Sequence, residues 1–231
     1  KSGHRVYMCT GRSLPEVYQD LWDIGFDGLI GAGGAYIQNG DEVLLHQRMD
    51  PHVLKDTLAY LDENGFDYYI ESNSGLYGSK HCHEHIAASL GLPMDEAMKN
   101  PFMKAIQIKD DVDLSNVNKL CFMESAGIDF QTVYERFHAD YEVLHCTIPA
   151  FGAQSGELAI KGVSKSNAIA QLLKALDWQA ANTVAFGDGN NDIDMFNYCN
   201  YGVAMGNATK ELKAVADYVT TDVGEDGLYH G

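Results

Sequence analysis

A short apolar run that ends in a glycine-rich acidic turn constrains the fold of this chain most. Residues 183–186 read Thr-Val-Ala-Phe, and residues 187–192 read Gly-Asp-Gly-Asn-Asn-Asp. The β-branched and aromatic run predicts a buried strand, and the apolar residues after the turn predict a helix that begins near Asn191. The acidic turn is therefore expected at the carboxyl end of a strand, the edge at which open α/β sheets bind their ligands.

The two aspartates of this turn, Asp188 and Asp192, are four residues apart and can face one metal ion. Mg²⁺ favours one or two carboxylates together with waters and the phosphate oxygens of a substrate. The other interpretation is a plain turn in which Asn191 caps the helix and both acids are solvated. The six residues alone do not decide between a magnesium site and a turn, because motifs this short often occur without function.

A second polar turn follows another predicted strand. Residues 5–8 read Arg-Val-Tyr-Met, residues 9–12 read Cys-Thr-Gly-Arg, and Ser13 then begins a predicted helix with Pro and Glu in its first turn. Thr10 is again at the end of a strand. Its hydroxyl and the backbone N–H groups that follow it, starting with Gly11, can hold a phosphate oxygen beside the helix N-terminus.

A lysine in the first turn of a third predicted helix indicates a bound anion. Residues 162–165 read Gly-Val-Ser-Lys and lead into a helix over 167–173. The helix dipole disfavours a cation at that end, so Lys165 suggests that an anion lies nearby. Lys161 is a rival phosphate ligand, but its position inside a strand-like segment before Gly162 favours Lys165.

In this order along the chain, these segments resemble the haloacid dehalogenase superfamily of phosphatases, and within it the Cof-type sugar-phosphatase-like subfamily. The resemblance extends over nearly the whole chain. Its matching segments are residues 9–12, 162–165, 186–195, 202–208, 216–220 and 225–227.

The resemblance implies a role for each polar residue of these segments. Thr10 would bind the phosphoryl group that is transferred, and Lys165 would neutralise phosphate and nucleophile. Asp188 would ligate Mg²⁺, and Asp192 would support the metal directly or through water. Asn191 would hydrogen-bond near the phosphate.

Two departures from the family pattern stand out. Members begin with a strand that ends in Asp-x-Asp-Gly-Thr, in which the first Asp is the nucleophile and the second is the general acid/base. This chain opens with Lys-Ser-Gly-His, a pattern typical of the last turn of a helix, so we expect residues 1–231 to start inside the fold and to be inactive alone. Residues 33–35 read Gly-Gly-Ala where related sequences have Asn-Gly-Ala.

The pattern of elements predicts an α/β fold with a Rossmann-like parallel-sheet core and an inserted α/β cap domain. We expect core at residues 1–48, cap at 49–154 and core again at 155–231. In the middle, Asp50 predicts the start of a helix that ends near Glu63. Further strands are predicted at 68–71, 105–108, 119–122 and 141–144, a helix at 130–137, and a hairpin that turns at Asn39-Gly40. The resemblance implies that the cap excludes water and selects the substrate.

Residues 80–85, Lys-His-Cys-His-Glu-His, have the composition of a metal site. Alternate histidines share one face only if the stretch is extended, whereas the residues that follow predict a helix in which His81 and His85 share a face. The sequence therefore favours a substrate-facing cap loop, or a solvated segment, over a zinc site. The substrate candidates in the cap are Glu71, His81 and His83.

The composition excludes several classes of protein. A formal net charge of −17 argues against binding to nucleic acid or to anionic membranes, although a local metal ion and lysine can still attract a phosphate. No apolar stretch approaches the roughly 20 residues that cross a bilayer. Five scattered cysteines are typical of reduced thiols in a cytoplasmic protein.

We therefore expect a Mg²⁺-dependent phosphatase that forms an aspartyl-phosphate. Its substrate would be a small phosphorylated metabolite, a sugar phosphate first and a nucleotide or pyridoxal phosphate next. A phosphomutase on the same core is one alternative. A non-catalytic phosphate- or metal-binding protein is the other, if no upstream Asp-x-Asp exists. The sequence favours no oligomeric state.

Overall fold

A computed structural model describes residues 3–109, 111–146 and 148–231. Its strands are β1 (Tyr7–Cys9), β2 (Gly28–Gly31), β3 (Tyr36–Asn39), β4 (Glu42–His46), β5 (Tyr68–Ser72), β6 (Gly75–Gly78), β7 (Ile106–Ile108), β8 (Val117–Phe122), β9 (Glu142–His145), β10 (Gly156–Ala159), β11 (Val184–Gly187), β12 (Tyr201–Ala204) and β13 (Tyr218–Val219).

The α-helices are α1 (Gln19–Trp22), α2 (Pro51–Glu63), α3 (Cys82–Ser89), α4 (Met94–Ala97), α5 (Pro101–Ala105), α6 (Phe130–Phe137), α7 (Lys165–Ala175), α8 (Ile193–Tyr198), α9 (Lys210–Val215) and α10 (Gly227–His230). Short 3₁₀ turns lie at Leu14–Glu16, Ala32–Gly34, Leu114–Asn116, Pro149–Phe151, Ala180–Asn182, Asn190–Asp192 and Val223–Glu225.

The middle of the chain forms a six-stranded mixed sheet in the order β7-β6-β5-β8-β10-β9. We refer to this sheet and its helices as the cap. Helices α2 and α6 cover one face, where Leu54, Leu61 and Phe137 pack on strand residues. Each of these fully buried side chains contributes about 1.5–3 kcal/mol of hydrophobic stabilisation. Helices α3 and α5 cover part of the other face, through Ile86 and Met103.

The two ends of the chain form two smaller sheets that share one apolar core. In the first sheet, β1 pairs in parallel with β2, and β2, β3 and β4 follow as antiparallel neighbours. In the second, β11, β12 and β13 are parallel, and α8 and α9 connect them. Ile30 and Ile37 of the first sheet belong to the same buried cluster as Ala185 and Ala204 of the second and Leu172 of α7. We refer to these two sheets and their helices as the core.

The predicted α/β class is confirmed, and most predicted elements are present with shifted ends. The end of the six-stranded sheet differs from the cap boundary expected at residue 154, because the sheet also includes β10. Strand β10 pairs with β8 and β9, although the sequence placed it in the core. The helix predicted from Ser13 is only a single 3₁₀ turn. The carboxylate of Glu16 accepts hydrogen bonds from the N–H and hydroxyl of Ser13, and the backbone is extended again at Val17.

Polar contacts join the cap to the core at one end of the six-stranded sheet. Asn118, at the start of β8, donates its side-chain N–H to the carbonyl oxygen of Gln47 in the connecting segment at 2.8 Å. The 3₁₀ turn Leu14–Glu16 of the core packs against β6 and α5 of the cap. Across the described parts of the chain, no helix is both long and apolar enough to cross a bilayer.

Candidate active site

The acidic turn closes around the carboxylate of Asp192. Strand β11 ends at Gly187, and Oδ2 of Asp192 accepts hydrogen bonds from the backbone N–H groups of Asp188 at 3.0 Å and Gly189 at 3.1 Å. The carboxylate folds so closely over the strand end that a Cβ on Gly187 would lie 2.7 Å from Oδ2. The glycine at position 187 is therefore required by the close approach of Asp192.

Lys165 forms a buried ion pair with Asp192. Ser164 caps α7 by accepting the N–H of Asn167, which places Lys165 at the first helical position. The Lys165 Nζ donates to Oδ1 of Asp192, and the two residues are only 6% and 5% exposed. Both carboxylate oxygens of Asp192 thus already accept protein donors, as a buried charge requires. The predicted lysine and the predicted second acid are in direct contact.

The Thr10 turn lies against the N-terminus of α7. Its hydroxyl oxygen accepts the backbone N–H of Arg12 at 3.2 Å, and its carbonyl accepts the N–H of Gly33 at 3.1 Å. Gly34, at φ +113°, packs so tightly against α7 that a Cβ there would lie 2.3 Å from the carbonyl oxygen of Ser164. The turn after β1 and the first turn of α7 are therefore neighbours.

The pKa of the Cys9 thiol depends on its burial and on the charges near the Thr10 turn. Burial raises its pKa to about 12; Lys165 opposes the increase, while Asp192 and Asp194 add to it. A residue adjacent to Thr10 is thus within electrostatic reach of the buried ion pair. The structure therefore brings Thr10, Lys165 and Asp192 into one site at the strand ends.

Asp188 is the accessible carboxylate of this site. Its side chain is exposed, and its Oδ2 accepts the amide N–H of Asn207 at a long 3.5 Å. The backbone N–H of Thr209 fixes the Asp188 carbonyl at 3.0 Å. Asn191 is also exposed, and its side-chain oxygen lies over Gly189, 2.6 Å from where a Cβ on that glycine would be.

The carboxylate oxygens of this turn are ligands of the kind that Mg²⁺ accepts. Within residues 3–109, 111–146 and 148–231, no group of three or more His, Cys, Asp or Glu side chains could hold an ion by itself. Mg²⁺ needs only one or two carboxylates when waters and substrate phosphate complete its shell. The Asp192 oxygens accept hydrogen bonds from Lys165 and two backbone N–H groups, whereas the exposed Asp188 carboxylate could ligate an ion directly.

The structure separates the histidines that the sequence grouped together. His81 is exposed at the N-terminus of α3, whereas Nε2 of His83 lies 3.0 Å from the carbonyl oxygen of Met103. His85 pairs through Nδ1 with Asp67 at 3.1 Å. Each ring has different surroundings, so these histidines do not converge on one ligand position.

Glu71 lies on the cap face that points toward the core, and it belongs to a charged cluster. The Nζ of Lys119 lies 3.0 Å from Oε1 of Glu71 and 3.3 Å from Oε2 of Glu157. The same Nζ donates to the carbonyl oxygen of Gly11 at 3.4 Å. Sequence reasoning missed Lys119, Glu157 and also Asn207. Only the pairing of β5, β8 and β10 places the first two beside Glu71, and no local pattern signals that pairing.

Burial raises the pKa of Glu71 to about 7; Lys119 opposes the increase, while Glu16 and Glu157 add to it. The pKa of Lys119 is also raised, because the attraction of Glu71 and Glu157 outweighs its burial. The two shifts are compatible if Lys119 keeps its proton throughout and Glu71 is the group that titrates near neutral pH. Glu71 then binds a proton more tightly in the folded than in the unfolded chain.

This titration predicts a pH-dependent stability. The stabilisation from protonated Glu71 is complete below its unfolded pKa near 4.5 and is lost as the pH rises through about 7. We expect the free energy of unfolding of wild type to fall, relative to Glu71→Gln, between about pH 5 and pH 8. Urea denaturation across this range measures the difference. Glu63→Gln, at the exposed end of α2, is the control. If the difference in free energy of unfolding between wild type and Glu71→Gln did not change with pH, Glu71 would not be the group that titrates near pH 7.

Comparison with known proteins identifies the family. The sequence profile of the haloacid dehalogenase-like hydrolases matches residues 1–231, and the chain belongs to this family. It is 25% identical to the putative phosphatase YkrA of Bacillus subtilis, over 99% of this chain and 83% of that protein. The resemblance to the haloacid dehalogenase superfamily that was inferred from the sequence is thus confirmed.

Solved structures share the fold. A hypothetical protein from Geobacillus kaustophilus superimposes with a TM-score of 0.84 at 24% identity, over 100% of this chain and 84% of that chain. A subclass IIB sugar phosphatase superimposes with a TM-score of 0.67 at 23% identity, over 98% and 83% of the two chains. Both likenesses extend over the core and the cap.

Proposed function

We propose that this hydrolase is a Mg²⁺-dependent phosphatase that acts on small phosphorylated metabolites, with sugar phosphates as the first candidates. One observation carries the proposal. The exposed Asp188, the buried Lys165–Asp192 pair and the Thr10 turn converge at the carboxyl ends of β1 and β11. The names of the phosphatases with which the chain shares its family or fold support the same reaction.

Each residue of the site has a role that follows from its position. Lys165 and the Thr10 hydroxyl bind the phosphoryl oxygens, with Gly11 N–H and Asn191 beside them, and Asp192 fixes the Lys165 ammonium. Asp188 would hold Mg²⁺, and Asp192 would support the ion directly or through water. When bound, the ion neutralises charge on the phosphoryl oxygens. Groups fixed before the reaction stabilise the charge of the transition state without reorganising.

The covalent step requires an aspartate nucleophile, which we place upstream of Thr10 on the basis of the family pattern. Its carboxylate attacks phosphorus in line, the alcohol leaves with a proton from a second aspartate, and water then hydrolyses the aspartyl-phosphate. In the described residues, β1 pairs only with β2 and β11 only with β12, which supports a place for one more strand between them.

The remaining parts of the proposal concern the cap and the location. The cap, proposed at about residues 49–154 from the sequence and extended here through β10, closes over the Gly11 turn, excludes water and selects the substrate. His81 and His83 stay weaker substrate candidates than Glu71, because they lie outside its charged cluster. We place the protein in the cytoplasm, which its five free thiols support.

The test is an assay of full-length protein with p-nitrophenyl phosphate and with glucose 6-phosphate. We expect inorganic phosphate release that needs Mg²⁺, stops with a chelator and returns when Mg²⁺ is restored. An isomer of glucose 6-phosphate without net phosphate release would identify a phosphomutase instead. Binding of inorganic phosphate or Mg²⁺ without turnover of either ester would identify a non-catalytic binding protein.

A further inference from the structure

The carboxylate of Asp194 joins the starts of two helices. Asp194 lies in the first turn of α8, and its Oδ2 accepts the backbone N–H of Ser166, the second residue of α7, at 3.0 Å. Its Oδ1 accepts the backbone N–H of Met195 in α8 at 2.8 Å. Because the N-terminus of a helix carries a partial positive charge, a negative carboxylate is stabilised beside both helix starts.

The N–H of Ser166 is a donor that needs a partner from outside its helix. The first backbone N–H groups of a helix have no acceptor within the helix itself. Ser164, the residue before α7, accepts the N–H of Asn167 at 3.2 Å, so it serves the third helical position. Asp194 serves the second position. The first turn of α7 is therefore held by its own cap and by a side chain of the neighbouring helix.

Two polar contacts connect the start of α7 with the start of α8. The Lys165 ammonium donates to Asp192, and the Ser166 N–H donates to Asp194. The two donors belong to adjacent residues, and the two acceptors lie two residues apart in the chain. A single hydrogen bond leaves the orientation of a helix free, whereas two neighbouring contacts restrict it. The second contact therefore restricts how the first turn of α7 is oriented toward the acidic turn.

The two contacts differ in their relation to a bound phosphate. In the proposed function the Lys165 ammonium serves the phosphoryl oxygens as well as Asp192, so its contact with Asp192 has to adjust when a substrate binds. The bond from Ser166 to Asp194 uses a backbone donor and can persist unchanged. On another side of this turn, the close approach of Gly34 to the Ser164 carbonyl leaves no room for α7 to shift.

We propose that Asp194 is a positioning residue, which holds the first turn of α7 and thereby fixes the Lys165 ammonium at the phosphate site. This inference rests on the proposed phosphatase function, in which Lys165 binds the phosphoryl group. Asp194 acts through the Ser166 N–H and contacts neither phosphate nor metal ion. Its effect on phosphate release should therefore depend on the presence of Lys165.

The test measures kcat/KM of full-length protein for p-nitrophenyl phosphate. Asp194→Ala should lower kcat/KM about ten- to a hundredfold, because a small misplacement of a group that binds the transition state is costly. Asp194→Asn keeps an oxygen acceptor for the Ser166 N–H and should stay within about threefold of wild type. Equal losses in Asp194→Ala and Asp194→Asn, or wild-type kcat/KM in Asp194→Ala, would overturn the positioning role.

The matched control is Asp129→Ala. Asp129 likewise accepts a backbone N–H at a helix start, that of Thr132 in α6 at 2.8 Å, but it lies in the cap away from the Lys165 turn. Asp129→Ala should keep the kcat/KM of wild type. Circular dichroism and urea denaturation establish that each variant is folded.

Combination with Lys165→Met shows whether Asp194 acts through the lysine. We expect Asp194→Ala to lower kcat/KM by less than about threefold in the Lys165→Met background, because the group that it positions is already absent. A merely structural role would lower kcat/KM by the same factor in both backgrounds, and this result would overturn the inference. Should the double variant fail to fold, the comparison of Asp194→Ala with Asp194→Asn decides alone.

Failure of the positioning role can be distinguished from failure of the proposed function. Any of the contrary results above would leave phosphate release by wild type intact. If wild type releases no phosphate from p-nitrophenyl phosphate or glucose 6-phosphate, the proposed function fails, and calorimetric titration with inorganic phosphate decides the role of Asp194. Asp194→Ala should then bind phosphate about tenfold more weakly than wild type. Equal affinity, or no binding by wild type, would overturn the inference.

Discussion

Asp188→Asn is expected to lower kcat for phosphate release by at least about 1000-fold in the full-length protein, because a metal ion contributes several kcal/mol of transition-state stabilisation. Asp188 is the exposed carboxylate at the end of β11, and the other acid of the turn is already engaged by Lys165 and two backbone N–H groups. The amide keeps the size of the side chain but binds Mg²⁺ far more weakly. Steady-state rates across a Mg²⁺ titration measure the effect.

The control for this experiment is Asp41→Asn. Asp41 is exposed in the β3–β4 hairpin of the core, so its substitution removes one negative charge without touching the site. We expect Asp41→Asn to keep both the rate and the Mg²⁺ dependence of wild type. If Asp188→Asn kept the turnover and the Mg²⁺ dependence of wild type, the acidic turn would have no role in binding the metal ion.

Lys165→Met is expected to reduce both catalysis and stability. Loss of one fixed charge at the phosphoryl group should lower kcat about 100- to 1000-fold for every ester, since all substrates share that group. Removing one partner of a buried ion pair should also lower the free energy of unfolding by about 3 kcal/mol, the lower end of the usual range, because Asp192 keeps two backbone donors. Kinetics on several esters and urea denaturation measure the two effects.

A double variant separates the two roles of this lysine. Lys165→Met combined with Asp192→Asn removes the uncompensated buried carboxylate, so we expect it to regain part of the lost stability and none of the lost activity. A loss of activity that differs strongly among esters would contradict the assignment of Lys165 to the phosphoryl group. Recovery of turnover in the double variant would show that the lysine acts only through folding.

The sequence predicted elements with local signals well. Asp50 caps α2 by accepting the N–H groups of His52 and Val53, and the helix ends at Glu63 before Asn-Gly, so both ends could be read from neighbouring residues. Strand β10 has the residues of a strand, but its membership of the cap sheet depends on pairing with β8 and β9. Such pairing is non-local and cannot be read from the segment itself.

The same distinction holds within the site. Two motifs indicated Asp188 and Lys165 because glycine-rich turns and helix starts are local patterns. The buried contact between Lys165 and Asp192 joins two such motifs, and no single one of them predicts it. The charged cluster of Glu71, Lys119 and Glu157 was reached only through Glu71, since Lys119 and Glu157 lie in ordinary strand sequences.

Gly34 packs closely on the start of α7, the helix that carries Lys165. It touches no phosphate ligand directly, yet a single methyl group there would press on the backbone oxygen of Ser164 at the start of α7. The close packing of the turn Ala32–Gly34 on the start of α7 therefore depends on the absence of a side chain at position 34. Any side chain at position 34 would have to displace the start of α7 and would also be strained at φ +113°.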